Sequence, residues 1–226
     1  MHPTPADPDS TFRTRRYVIL AALAAGGAGI ALVRAPALAA GATMPPTPPV
    51  SLGPFYPAAK PVDSDADLTM VTGRPQRAAG IVLYTSGRVL DTTGRPVGNA
   101  ELEIWQANAF GRYHHPGDSD ASGALDPNFQ GYGRVQTDAE GRYRFKTIKP
   151  PPYQGRTAHL HFNVASGRTR LTTQMFFDGE PGNERDFLYR SLSRDDRRAS
   201  TGRYADRAAS MEPDAVVTVW DIVLRT

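Results

Sequence analysis

The sequence predicts an all-β chain: a single β-sandwich of mainly antiparallel strands whose long connecting loops carry the functional residues. Three observations predict it. From about Ile81 onward, short apolar runs alternate with clusters of Gly, Pro, Asn and Asp. Within the runs the period is two, the repeat of a strand with one buried face. The 21 Gly and 20 Pro among 226 residues are also more than a helical bundle tolerates.

The order of elements begins with a leader over residues 1–39. Arg15 and Arg16 precede an Ala- and Gly-rich apolar run from Val18 to Val33, and Ala37-Leu38-Ala39 offers a small-x-small cleavage site. A basic start, an apolar core and a small-residue exit describe a secretory signal, and the adjacent arginines make it similar to a twin-arginine signal. The run is short for a spanning helix, so the predicted protein is exported, periplasmic or extracellular, and meets the membrane only in transit. Residues 40–50 are rich in Pro and predict a stiff linker with little packing potential. Residues 51–226 form the predicted domain.

Within that domain Ala100, Leu102 and Ile104 alternate with Glu101 and Glu103. Arg142 to Lys146 alternates likewise after the turn signal Asp138-Ala139-Glu140-Gly141. Ala158, Leu160, Phe162 and Val164 share one parity, and His159, His161 and Asn163 share the other. Leu171 to Phe177 and Ala215 to Leu224 supply two more strand-like runs, and Glu184 to Leu192 reads as a short helix.

Charge and cysteine content exclude several functions. Two of the three net positive charges sit in the leader, leaving 22 basic and 21 acidic residues in the rest. A nucleic-acid binder needs a concentrated basic surface, so no nucleic-acid partner is expected. With no cysteine there is no disulfide, zinc–thiolate, iron–sulfur or thiol chemistry. Nothing in the composition specifies an oligomeric state.

Metal chemistry stays open. Residues two apart on a strand project to one face about 6–7 Å apart, so His159 and His161 can converge on one ion. Tyr153 lies upstream in a Pro-bounded turn, with Arg156 three residues before His159, and Tyr113 ends a second Gly-containing turn. With His114 or His115 the histidine pair could instead hold zinc or copper. A sandwich that binds carbohydrate or protein without catalysis would need none of these residues.

The ordered segments of residues 50–178 resemble the intradiol ring-cleavage dioxygenases, and most of all the protocatechuate-type subunits. They are Gly53-Pro54-Phe55-Tyr56, Trp105-Gln106-Ala107-Asn108 with Gly111-Arg112-Tyr113, Asp126-Pro127-Asn128-Phe129, and Gly133-Arg134 with Thr137-Asp138. Thr147-Ile148-Lys149-Pro150 to Tyr153, Arg156 to Phe162, and Thr173-Gln174 continue the series. The resemblance implies that Tyr113, Tyr153, His159 and His161 bind Fe(III), with Tyr153 and His161 axial and solvent hydroxide as a fifth ligand. It implies a small aromatic diol and O2 as substrates, ring opening between the hydroxyl-bearing carbons, and a cis,cis-muconate-type diacid as product. Tyr153 would take up a substrate proton, Arg156 would stabilise the electron-rich substrate, and Gln174 would stand beside it. The residue types suit this chemistry, because phenolates are hard anionic donors that favour ferric iron. Only Gln154 and Gly155 separate Tyr153 from Arg156, a shorter connection than the family's, which predicts a more open pocket.

Overall fold

A computed structural model describes residues 43–119 and 122–225. The leader expected over residues 1–39, and the start of the 40–50 segment, lie outside the described residues.

Among the described residues nine strands form: β1 (Val82–Asp91), β2 (Glu101–Trp105), β3 (Tyr132–Gln136), β4 (Arg142–Ile148), β5 (His159–Ser166), β6 (Thr169–Phe177), β7 (Thr201–Ala205), β8 (Val216–Val219) and β9 (Ile222–Leu224). Their order is β3-β2-β5-β6-β7-β8-β1-β4, with β9 paired to β1 off this path. The two ends of the path face one another as the layers of a β-sandwich. Leu102, Ile104, Leu160, Phe162, Val164, Met175 and Phe177 from one layer pack in a single core with Leu83, Val89, Tyr143, Phe145, Ile222 and Leu224 from the other. Burying each such large side chain is worth about 1.5–3 kcal/mol, so this core is what fixes the two sheets. Most pairings are antiparallel; β1–β8, β1–β9 and β6–β7 are parallel.

The strand-like run from Ala215 to Leu224 divides at Trp220, whose ring enters the core and whose Nε1 donates to Ala199 O. The helix expected over Glu184 to Leu192 is a 3-10 turn (Asn183–Arg185) followed by α1 (Phe187–Ser191), capped by Asp186. A second helix not anticipated from the sequence, α2 (Arg194–Ala199), starts at Ser193, whose hydroxyl accepts from Asp196 N. Residues 43–50 depart from the expected linker behaviour. Thr47 N donates to Val223 O, Val50 N donates to Thr172 O, and Thr173 Oγ1 donates to Pro48 O, so this segment is laced across β6 and β9.

The β2–β5–β6 register sets the stage for the site. Trp105 lies opposite His161, and His161 opposite Gln174. Trp105, His159, His161 and Gln174 therefore share the face of this sheet turned away from the core.

Candidate metal centre

Each functional side chain is placed by a local device that its sequence neighbours supply. Beyond β2, Asn108 Oδ1 accepts from Phe110 N and Arg112 N, and Asn108 N donates to Arg112 O. This folded turn delivers Tyr113, whose backbone N–H donates to Asp118 Oδ2 at 2.7 Å. The Tyr113 ring is 3% exposed and lies against Phe55.

Tyr153 is set by a two-residue hairpin turn. Tyr153 N donates to Arg156 O at 3.1 Å and Arg156 N to Tyr153 O at 2.7 Å, while Gln154 and Gly155 take φ of 46° and 76°. Positive φ at both central positions is what a type I′ turn needs, and glycine adopts it without strain. The shortened connection is thus a regular tight turn that keeps Tyr153 and Arg156 side by side.

The histidines come from β5 on the face opposite Leu160 and Phe162. His159 Nδ1 lies 2.7 Å from Thr157 O. A carbonyl only accepts, so Nδ1 carries the proton and Nε2 presents a bare lone pair. His161 stacks on Trp105, ring centroids 4.9 Å apart and 17° between planes. Gly53, with φ of +75°, covers it so closely that a Cβ there would lie 3.1 Å from His161 Cε1.

Four donor atoms then meet. Tyr113 Oη lies 2.7 Å from Tyr153 Oη and 3.0 Å from His161 Nε2. His159 Nε2 lies 3.1 Å from Tyr153 Oη and 3.2 Å from His161 Nε2. The four contacts close a ring. At most three protons are available to it, two phenolic and one on His161, so at least one of the four contacts has no hydrogen to bridge it. If His161 supplies its proton at Nε2, its buried Nδ1 is left bare, and that atom has no partner among the described residues. A cation removes the conflict. Nitrogen and oxygen ligands at about 2.0–2.2 Å from a shared first-row metal ion lie about 3 Å from each other at right angles, close to the separations here.

Burial controls the ionisation of all four groups. It raises the Tyr113 phenol well above its ordinary value, with the neighbouring Tyr153 adding to the effect, and pushes Tyr153 up to about 12. It also lowers His159 to about 4 and His161 well below the ordinary imidazole range. With no cation present the cluster is neutral at pH 7, two phenols and two imidazoles. A bound metal favours the phenolates, since its charge inverts the local ionisation preference.

Around the ring, Arg156 Nε donates to Asp186 Oδ2 at 2.7 Å and Arg156 Nη2 to Gln174 Oε1 at 2.8 Å. Gln174 Nε2 donates to Ser51 O, which fixes which end of the amide faces Arg156. The six residues that the family resemblance singles out are therefore brought together. His114 and His115 are not among them. His115 Nδ1 accepts from Gly117 N and its ring touches Phe55, while His114 lies by Asp126. Among the described residues no three His, Cys, Asp or Glu side chains are placed to hold a metal ion together. Tyr153 is the half-buried corner of the cluster, and a surface cavity of about 370 Å³ opens beside it, lined by Tyr153, Gln154, Arg156, Thr157, Glu180 and Arg185.

Sequence reasoning missed Asp186, Asp118 and Glu103. Asp186 is 0% exposed. Glu103, expected on a solvent face by alternation, is 6% exposed and accepts from Tyr56 Oη, Tyr132 Oη, Asn163 Nδ2 and Lys60 Nζ. This carboxylate anchors the 53–60 segment over the site.

A family model described as Dioxygenase matches residues 52–226. The chain belongs to the intradiol ring-cleavage dioxygenases. It is 40% identical over 181 residues to the protocatechuate 3,4-dioxygenase beta chain of Burkholderia cepacia, covering 76% of each chain. Catechol 1,2-dioxygenase 2 of Acinetobacter lwoffii is 35% identical over 162 residues, which span 63% of this chain and 55% of that relative. Among solved structures, the dioxygenase domain of a carbohydrate-binding fusion from Streptomyces sp. SirexAA-E superposes with a TM-score of 0.61 at 28% identity, over 80% of this chain and 99% of that one. Catechol 1,2-dioxygenase of Pseudomonas arvilla C-1 gives 0.59 at 30% identity, over 79% and 62%. These dioxygenases are what the chain is similar to.

Proposed function

We propose that the protein holds Fe(III) on Tyr113, Tyr153, His159 and His161 and cleaves catechol-type rings between the two hydroxyl-bearing carbons, consuming O2 and yielding a cis,cis-muconate-type diacid. The observation that carries the reading is the closed ring of two phenol oxygens and two imidazole nitrogens with too few protons to satisfy it. Two phenolates and two neutral imidazoles leave a ferric site with one net positive charge, suited to a catechol dianion. Ferric iron, when bound, draws electron density from the catecholate and so opens its ring carbon to dioxygen.

The remaining roles belong to the chain. Tyr153 is the half-buried donor, so it is the one an incoming diol would meet, and its Oη would accept a substrate proton. Arg156 supplies a fixed positive charge for the electron-rich substrate, and Gln174 holds one of its nitrogens. Trp105 and the strap through Gly53 cover His161, and Phe55 covers Tyr113. The export reading stands beside this one: Arg15-Arg16 and the Ala37-Leu38-Ala39 exit support a folded, iron-loaded protein outside the cytoplasm. Replacing both arginines by lysine should abolish export, and undiminished export would remove the twin-arginine route.

Supplying isotopically labelled O2 to iron-loaded protein with catechol, protocatechuate or hydroxyquinol tests the chemistry. The expected product is a ring-opened diacid carrying both oxygen atoms. A product opened outside the diol, or no O2 uptake with any of the three, would overturn the proposal.

A further inference from the structure

We propose that Asp186 is the positioning residue for Arg156, deciding which edge of its guanidinium faces the substrate. The inference rests on the ring-cleavage function proposed above.

The guanidinium is a rigid planar fork, so fixing two of its nitrogens fixes the third. Nε is held by Asp186 Oδ2 and Nη2 by Gln174 Oε1. Nη1 has no partner among the described residues and is the nitrogen left for a substrate oxygen. Neither anchor can turn freely. Gln174 is tied to Ser51 O. Each Asp186 oxygen accepts two N–H groups: Oδ1 from Leu188 and Tyr189, Oδ2 from Arg156 Nε and Thr157 N. Phe187 closes one face of the fork, its ring centroid 5.4 Å from Arg156 Cζ.

A helix cap alone does not call for this arrangement. Ser193 caps the longer α2 with a single exposed hydroxyl, whereas Asp186 is fully buried and commits a whole oxygen to Arg156 and Thr157. Thr157 is also the residue whose carbonyl orients His159. One carboxylate thus ties the proposed substrate-facing cation to the backbone that aims a proposed ligand. Burial by itself would raise the Asp186 carboxyl, yet the Tyr189 N–H, the Arg156 guanidinium and the Thr157 N–H hold it below the ordinary carboxylate value.

Asp186→Asn separates the two duties. Its carbonyl oxygen can still cap α1, while its amide sets donor against donor at Arg156 Nε. Asp186→Ser keeps a cap and removes the contact, and both replacements are strong N-cap residues. In iron-loaded protein we expect kcat on catechol to fall roughly 10–100-fold. KM, iron content and the displacement of the visible absorption band on catechol binding should stay unchanged. On an Arg156→Ala background, Asp186→Asn should cause no further loss, because residues acting as a unit are non-additive. A merely structural Asp186 would instead lower the melting temperature and cost the same factor in both backgrounds.

Equal losses in the two backgrounds, or an unimpaired Asp186→Asn in an active wild type, would overturn this inference alone. A wild type that holds iron and cleaves no catechol would overturn the proposed function and this inference together. If neither variant folds, Asp186 is a stability element and the positioning role falls.

Discussion

Over residues 159–162 the two faces of β5 are equally buried and do opposite work. On one, Leu160, Phe162 and Val164 enter a core shared by both sheets. On the other, His159 and His161 are covered by Trp105, Gly53 and the tyrosine loops. The core face is satisfied as it stands, apolar atoms against apolar atoms. The site face is not, because its four donors lack the protons to bond one another. Residues one position apart should therefore fail in different ways when altered.

The largest expected effect is on the site face. His161→Ala should lose the iron and with it all ring cleavage, while leaving the melting temperature of metal-free protein unchanged or raised, since a buried nitrogen without a partner disappears. Metal analysis beside calorimetry checks it, and a variant that unfolds would break the contrast between the faces. Next comes Phe162→Ala, one residue along. It should cost about 3–5 kcal/mol of stability in urea unfolding, yet the folded fraction should still take up iron. Loss of iron from folded Phe162→Ala would show that the faces are not independent.

Arg156→Ala sharpens the division within the site itself. Arg156 is beside the donor ring and outside it, so the metal should remain while turnover falls by about 10²–10³. Wild-type kcat in this variant would remove Arg156 from the chemistry. The smallest effect belongs to the turn that joins Tyr153 to Arg156. Gln154 holds φ of 46°, a conformation asparagine tolerates better, so Gln154→Asn should stabilise by less than about 1 kcal/mol. Differential calorimetry can resolve its sign, and destabilisation would mean that Gln154 contributes through its contact with Asp118.

The same contrast explains what was legible in the sequence. The core face of β5 is readable because alternation of apolar and polar residues is a local signal. The site residues were readable as motif positions, and the structure supplies reasons for several neighbours. Asn108 folds the turn before Tyr113, and Gln106 bonds Ile148 O and Thr147 Oγ1 to seat that turn on β4. Alternation misled at Glu103, because period two marks a change of surroundings and not contact with water. Here Tyr56, Tyr132, Lys60 and Asn163 meet the carboxylate. Asp186 was invisible for a different reason. Its partner Arg156 lies 30 residues away, and next to Phe187-Leu188-Tyr189 it carries only the local signature of a helix cap.

The central claim, that two phenolates help hold ferric iron, is tested most directly by the visible absorption of iron-loaded wild type beside Tyr153→Phe. Phenylalanine keeps the ring packing and removes one anionic donor. Wild type should be red to brown from phenolate-to-iron charge transfer, and Tyr153→Phe should fold, show a shifted or weakened band, and bind catechol abnormally. A colourless wild type holding zinc, or a Tyr153→Phe whose spectrum and cleavage rate match wild type, would contradict the account.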